Sequence, residues 1–150
     1  MNREPIYAAL FALLQTATPS GPSTQWAKSG RSVIPISDVP SNLRPALFVD
    51  EIGDEYKYAQ ATGVDPTVRL HADVYIYTVT SDPNAVSPAT RLNNAIDAVD
   101  AVLRPGSTGW QNLGKLVRWV RILGTMKIFQ GNEQQDGIAV LALEIMAMGN

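Results

Sequence analysis

The chain has 150 residues, of which 45% are apolar and 17% charged, with a formal net charge of -2 at pH 7. That length fits one domain, which at this size buries about two-thirds of the surface of the unfolded chain, and the composition is globular rather than disordered or collagenous. The absence of cysteine excludes disulfides, thiolate nucleophiles and cysteine-held metals, and the mildly acidic balance argues against a general nucleic-acid coat, which needs clustered lysine and arginine.

The first expected element is a helix over Glu4–Gln15, with Pro5 in the first turn, where its missing N–H is not needed. Ile6, Leu10, Leu13 and Leu14 form a stripe at helical spacing, with Tyr7 and Phe11 alongside. A helix this apolar is expected to be buried on two sides within the domain, or shared between the core and a neighbouring subunit. The nine apolar residues Ile6–Leu14 follow Arg3 as in a secretion leader, but Glu4 and Pro5 do not suit a positively charged start. Nine residues also fall short of the roughly 20 that cross a bilayer. The chain is therefore expected to be soluble and uncleaved, with no membrane partner.

Residues 17–44 read as a long loop or arm rich in Ser, Thr, Gly and Pro, in which Pro19, Pro22, Pro35 and Pro40 prevent any long helix. Connections of this length are usually binding arms or disordered linkers, and Trp26 with Val33, Ile34 and Ile36 favours an arm. Strand signals begin at Ala46–Val49, pass through an acidic turn at Ile52–Glu55 and resume at Tyr56–Ala61. The clearest strand is Leu70–Val79, where Leu70, Ala72, Val74, Ile76 and Thr78 alternate with His71, Asp73, Tyr75, Tyr77 and Val79.

Ser81–Asn84 form a turn, and Ser87 and Pro88 are placed to cap and open a helix. Leu92, Ile96, Val99 and Leu103 then give that helix one buried stripe, before Pro105, Gly106 and Gly109 stop it. Three short strands follow, at Leu116–Leu123, Thr125–Phe129 and Ile138–Met148, with Gly131, Asn132 and Gly137 turning the last pair into a hairpin. The last segment is apolar on both faces except at Glu144, which suits a strand in the middle of a sheet or under a neighbour. A helix is the alternative, and the glycine-bounded pairing favours the strand. The fold class that results is α+β: a single domain over 1–150, with a mostly antiparallel sheet, two helices packed on one face, a long arm and a C-terminal hairpin.

Several groups have the chemistry of a site and each has a plainer reading. Asp50, Glu51, Asp54 and Glu55 are suited to a divalent cation or to paired acids, but a solvated turn explains them as well. His71 lacks a second histidine or cysteine for a metal and a nearby serine motif for a triad, so it reads as an outward-facing strand residue. Lys115, Arg118, Arg121 and Lys127 flank Trp119 as a basic stripe, which suits either nucleic acid or, better, acidic groups on another subunit. Trp26 and Trp110 serve either as interface anchors or as packing on their own domain. Neither GPSTQWAKSG nor GSTGW has the spacing of a phosphate loop. No catalytic, cofactor-binding or metal-ligating residue is assigned, and the chain is not expected to be an enzyme.

The order of elements, together with SDVP at Ser37–Pro40, PALFV at Pro45–Val49, DEIGDEY at Asp50–Tyr56, LHADVYIYT at Leu70–Thr78, TRLNNAIDAVDAVLRP at Thr90–Pro105 and GIAVLALEIMA at Gly137–Ala147, resembles the tail terminator proteins of long-tailed bacteriophages. That resemblance implies a ring-forming virion subunit, expected as a hexamer, which caps the tail tube and joins it to the head connector or a head-completion protein. The subunit would be assembled in the host cytoplasm and end at the head-proximal end of the tail, with genome DNA passing through its lumen without sequence-specific binding. The alternative is another neck or head-completion component. On this reading the candidate contacts are Trp26, Arg31, Val33, Ile34 and Ile36 in the arm and Arg118, Trp119, Arg121, Lys127 and Phe129 in the later strands. Asp50, Glu51, Asp54 and Glu55 would be a lumen-facing acidic turn.

Overall fold

A computed structural model describes residues 1–19, 24–58, 65–79, 89–104, 106, 109–129 and 136–148, with the backbone alone over 126–129. The elements are α1 (Arg3–Gln15), β1 (Lys28–Gly30), β2 (Ala46–Lys57), β3 (Thr67–Val79), α2 (Thr90–Leu103), β4 (Val117–Phe129) and β5 (Asp136–Ala147), with single 3-10 turns at Ile36–Asp38 and Ser41–Leu43. The strands form one open sheet in the order β1-β2-β3-β5-β4, antiparallel throughout except for the parallel β1–β2 pair. This is the expected α+β architecture.

Alternation decides which side of the sheet each residue faces. Leu70, Ala72, Val74 and Ile76 of β3 and Ala139, Leu141, Leu143 and Ile145 of β5 point to the side where Ile6, Tyr7, Leu10 and Leu14 of α1 and Leu92, Ala95, Val99 and Leu103 of α2 complete the main core. The second helical stripe thus differs from expectation at one position: Ala95 enters the core, whereas Ile96 is half-buried. The first helix buries one side against the sheet and α2 and presents Ala8 and Ala12 to solvent. The Ser87 and Pro88 start signal, the Ser81–Asn84 turn, Pro105 and the hairpin turn at Gly131 and Asn132 lie outside the described residues.

Two expected breaks turn out to be bulges. β2 runs without interruption through the acidic segment, its register against β3 shifting between Glu51 and Gly53. Gly53 has φ 150°, a value that suits glycine, and the extra residue turns Ile52 out to solvent. Asp50, Glu51, Asp54 and Glu55 are therefore strand residues rather than a turn. Likewise Leu116–Leu123 and Thr125–Phe129 are not two strands: from Val117 onward they form the single strand β4, with a register shift between Ile122 and Gly124. In both places a long neighbouring strand supplies ladder hydrogen bonds on either side of the glycine, and this outweighs its local tendency to break a strand.

The arm is also more structured than expected. β1 extends the sheet edge by pairing Lys28, Ser29 and Gly30 with Ala46, Leu47 and Phe48. The following residues cross one end of the helix-free face, where Val33, Ile34, Ile36 and Leu43 pack around buried Val39, Ala46, Phe48 and Tyr77. The rest of that face is open among the described residues.

Candidate assembly interface

Most of the arm candidates are occupied within their own chain. Trp26 packs against the main core and its Nε1–H donates to the Leu14 carbonyl at 3.1 Å, capping the end of α1. Val33, Ile34 and Ile36 belong to the arm-covered cluster, and Tyr77 Oη fixes the segment by donating to the Ile34 carbonyl at 2.8 Å. Arg31 bridges Glu4 of α1 and Glu51 of β2, both at 2.5 Å. That contact, Glu4 first, pushes the guanidinium pKa up, and the same pairing draws the Glu4 carboxyl down. Arg44, not anticipated as important, holds the arm from inside: its side chain donates to the Val39 carbonyl at 2.9 Å and the Ile36 carbonyl at 3.0 Å and pairs with Asp136 of β5.

The acidic candidates divide in the same way. Glu51 is held by Arg31 and Asp54 by Arg3. Glu55 lies 3.4 Å from Lys57 and 3.7 Å from His71, whose side chain faces away from the helices as expected. Asp50 alone of the four has no ion pair among the described residues, and it stands directly opposite Asp73 in the β2–β3 register. Among the described residues no His, Asp and Glu group has the arrangement of a metal site, and no helix is long and apolar enough to cross a membrane.

Of the later-strand candidates, Arg121 and Trp119 face the helix-free side of β4, with the guanidinium 4.4 Å from the centre of the Trp119 ring. Arg121 also reaches Glu144 at 3.0 Å, while Arg69 of β3 reaches the same carboxylate from the other side at 3.5 Å. The result is an Arg69–Glu144–Arg121 row across three adjacent strands, with the carboxylate buried. One charged residue in an otherwise apolar strand was the sequence signal for it. Arg118 is exposed, and the side chains of Lys127 and Phe129 lie outside what is described.

Both sides of the sheet end in incompletely paired strands. β1 covers β2 only at Ala46, Leu47 and Phe48, so the outer edge of Asp50–Lys57 has no strand partner among the described residues, and Ile52, Tyr56 and Tyr58 are exposed along it. At the other side, the outer edge of β4 meets only the single bridge between Gln111 and Val120 among the described residues. There Trp110, Leu116 and Leu123 are exposed, and a cleft of about 770 Å³ opens between α2 and β4, with Ile96, Asp97, Leu103, Trp110 and Ile122 in its wall.

No family model and no curated protein matches this chain. Among solved structures, a chain from the virion of a native gene transfer agent particle aligns over 98% of this chain and 91% of its own, at 14% identity and a TM-score of 0.47. A second solved structure, whose description states no function, aligns over 100% of this chain and 98% of its own, at 16% identity and a TM-score of 0.53. The second likeness is one of fold, and the first is too loose to carry an inference.

Asp73 provides a pH-dependent signature of the open face. Burial, and then the charge of Asp50, raise its carboxyl above the usual aspartate value, with His71 drawing it partly back. An acid whose pKa is raised by folding destabilises the native state once it is ionised, and the penalty fades as pH falls through the raised value. Asp73→Asn is therefore expected to stabilise the fold at pH 7 by less than about 1 kcal/mol, with most of the gain gone by about pH 4. Urea midpoints at the two pH values check this, and an equal gain at both would contradict it.

Proposed function

We propose that this chain is a structural virion subunit of a tailed phage or phage-like particle: a tail terminator that assembles with copies of itself into a ring, caps the tail tube and presents its other face to the head connector. The observation that carries this reading is the sheet's two incompletely paired edges, on opposite sides of the subunit, each with exposed apolar side chains. Soluble proteins normally blunt such edges or cover them. Two different sticky sides on one subunit make heterologous contacts, and these close into rings when the rotation between subunits allows. The order of elements, which resembles that of tail terminators, supports the same assignment.

On this reading the protein has no turnover and no cofactor. Three of the four acids in the Asp50–Glu55 stretch already have basic partners, so the stretch offers little to a substrate or metal. A ring lumen with few free charges would let genome DNA pass without gripping it. The test is a binding comparison with tail tubes and DNA-filled heads of the parent particle. Attachment to tubes alone is expected before joining, whereas attachment to filled heads alone would reassign the subunit to the neck.

A further inference from the structure

Among the ionic groups that make no ion pair with another described residue, two pairs of opposite sign each sit close together. Asp50 and Asp73 face each other across β2 and β3 on the open side of the sheet, and no cation makes an ion pair with either among the described residues. Asp73 and Tyr75 border a shallow hollow of about 480 Å³, where Val140, Ala142 and Gly124 keep the floor low and largely apolar. At the start of β4, Lys115 and Arg118 are exposed and likewise make no ion pair among the described residues.

The basic set sits on a turn built to hold its shape. Leu113, Gly114 and Lys115 have successive φ values of 50°, 68° and 72°, a left-handed run that costs leucine and lysine about 1 kcal/mol or more each. Compensation comes from local contacts. Gln111 Oε1 accepts from the Leu113 N–H at 3.1 Å, Asn112 Oδ1 accepts from the Lys115 N–H at 3.3 Å, and Gln111 Nε2 donates to the Val102 carbonyl of α2 at 3.2 Å. Leu113 buries its side chain in the main core. The outcome is a fixed knob on which Lys115, Arg118 and the 41%-exposed Leu116 project into solvent. A knob fixed beforehand loses little conformational freedom when it docks.

We propose that the Lys115–Arg118 knob of one subunit docks in the hollow bordered by Asp73 on the next, with Leu116 on the Val140–Ala142–Gly124 floor and the two cations on Asp73 and on Asp50, its neighbour across the β2–β3 ladder. The occupant is a second copy of this chain, because the same chain carries both complementary charge sets. The contact joins two different patches and so propagates head to tail. This inference rests on the ring reading above and specifies one of the surfaces that would build the ring.

Charge reversal tests it. K115E/R118E and D50K/D73K are each expected to weaken self-association at least about tenfold, as read by light scattering at a concentration where the wild-type chain assembles. An equimolar mixture of the two variants is expected to reassemble with the two alternating, because every junction between unlike variants has either the native or the fully reversed charge pair. Thermal unfolding by circular dichroism shows that each variant is folded; if D50K/D73K is not, D50N/D73N takes its place and is expected to weaken assembly without restoring it on mixing. Wild-type assembly with unimpaired K115E/R118E overturns this docking alone. Failure of folded K115E/R118E and D50K/D73K to assemble when mixed overturns it too. A wild-type chain that stays monomeric overturns the ring reading and this contact together.

Discussion

Glu144→Ala is expected to destabilise the fold by about 2–3 kcal/mol, because it leaves two arginines facing each other without their shared anion. The carboxylate is 5% exposed and is contacted by Arg121 at 3.0 Å and Arg69 at 3.5 Å. The Nε atoms of both arginines are buried and have no hydrogen-bond partner, so neither guanidinium is well compensated even in the intact row. Removing one member of a buried ion pair typically costs about 3–5 kcal/mol, and the partial exposure of both arginines lowers that figure here. The triple variant R69L/E144L/R121M replaces the whole row by apolar side chains and should lose much less than E144A. Urea unfolding of both variants decides the point, and a loss in E144A below about 0.5 kcal/mol would show that the row contributes little.

Arg44→Ala is expected to lose about 3 kcal/mol and to release the arm from the sheet before the rest of the fold opens. One nearly buried guanidinium satisfies two arm carbonyls, those of Val39 and Ile36, and the carboxylate of Asp136 on the inner strand β5. Alanine leaves all three without that donor. Lysine keeps the charge but not the fork of donors, so Arg44→Lys should fall between the two. Hydrogen exchange separates local from global loss. In R44A the amides of Asp38, Val39 and Leu43, which donate within the arm to Pro35, Ile36 and Pro40, should exchange faster, while those of β3 and β5 keep most of their protection. Uniform loss of protection over arm and sheet would contradict this account.

The parts of the fold written in local periodicity were legible in the sequence. β3 alternates over its buried length, β5 is apolar on both faces because strands flank it on both sides, and α1 and α2 have helical stripes. What escaped was what only neighbours decide. Gly53 and Gly124 read as breaks because a single strand gives no sign that a partner will carry hydrogen bonding past them. Lys28–Gly30 has no strand pattern of its own and pairs because the arm returns along β2. Ala95 takes a core place that spacing gave to Ile96, since the wall of the α2–β4 cleft leaves Ile96 half-covered. Of the candidate interface, Trp119, Arg121 and the exposed Arg118 lie on one strand, β4. Trp26, Arg31 and the Val33–Ile36 run, also singled out, turned inward because α1 and the helix-free face of the sheet offered them partners of matching chemistry. Asp73, Arg69 and Arg44 were missed, because their roles depend on cross-strand neighbours far away in the sequence.

The central claim is that opposite sides of one subunit meet in a closed assembly. The most direct measurement is the solution mass of the purified chain over a wide concentration range, with electron microscopy of the largest species. A closed ring with a mass of about six chains and a central opening is the predicted result. A strict monomer at every concentration that also fails to attach to tail tubes would contradict it.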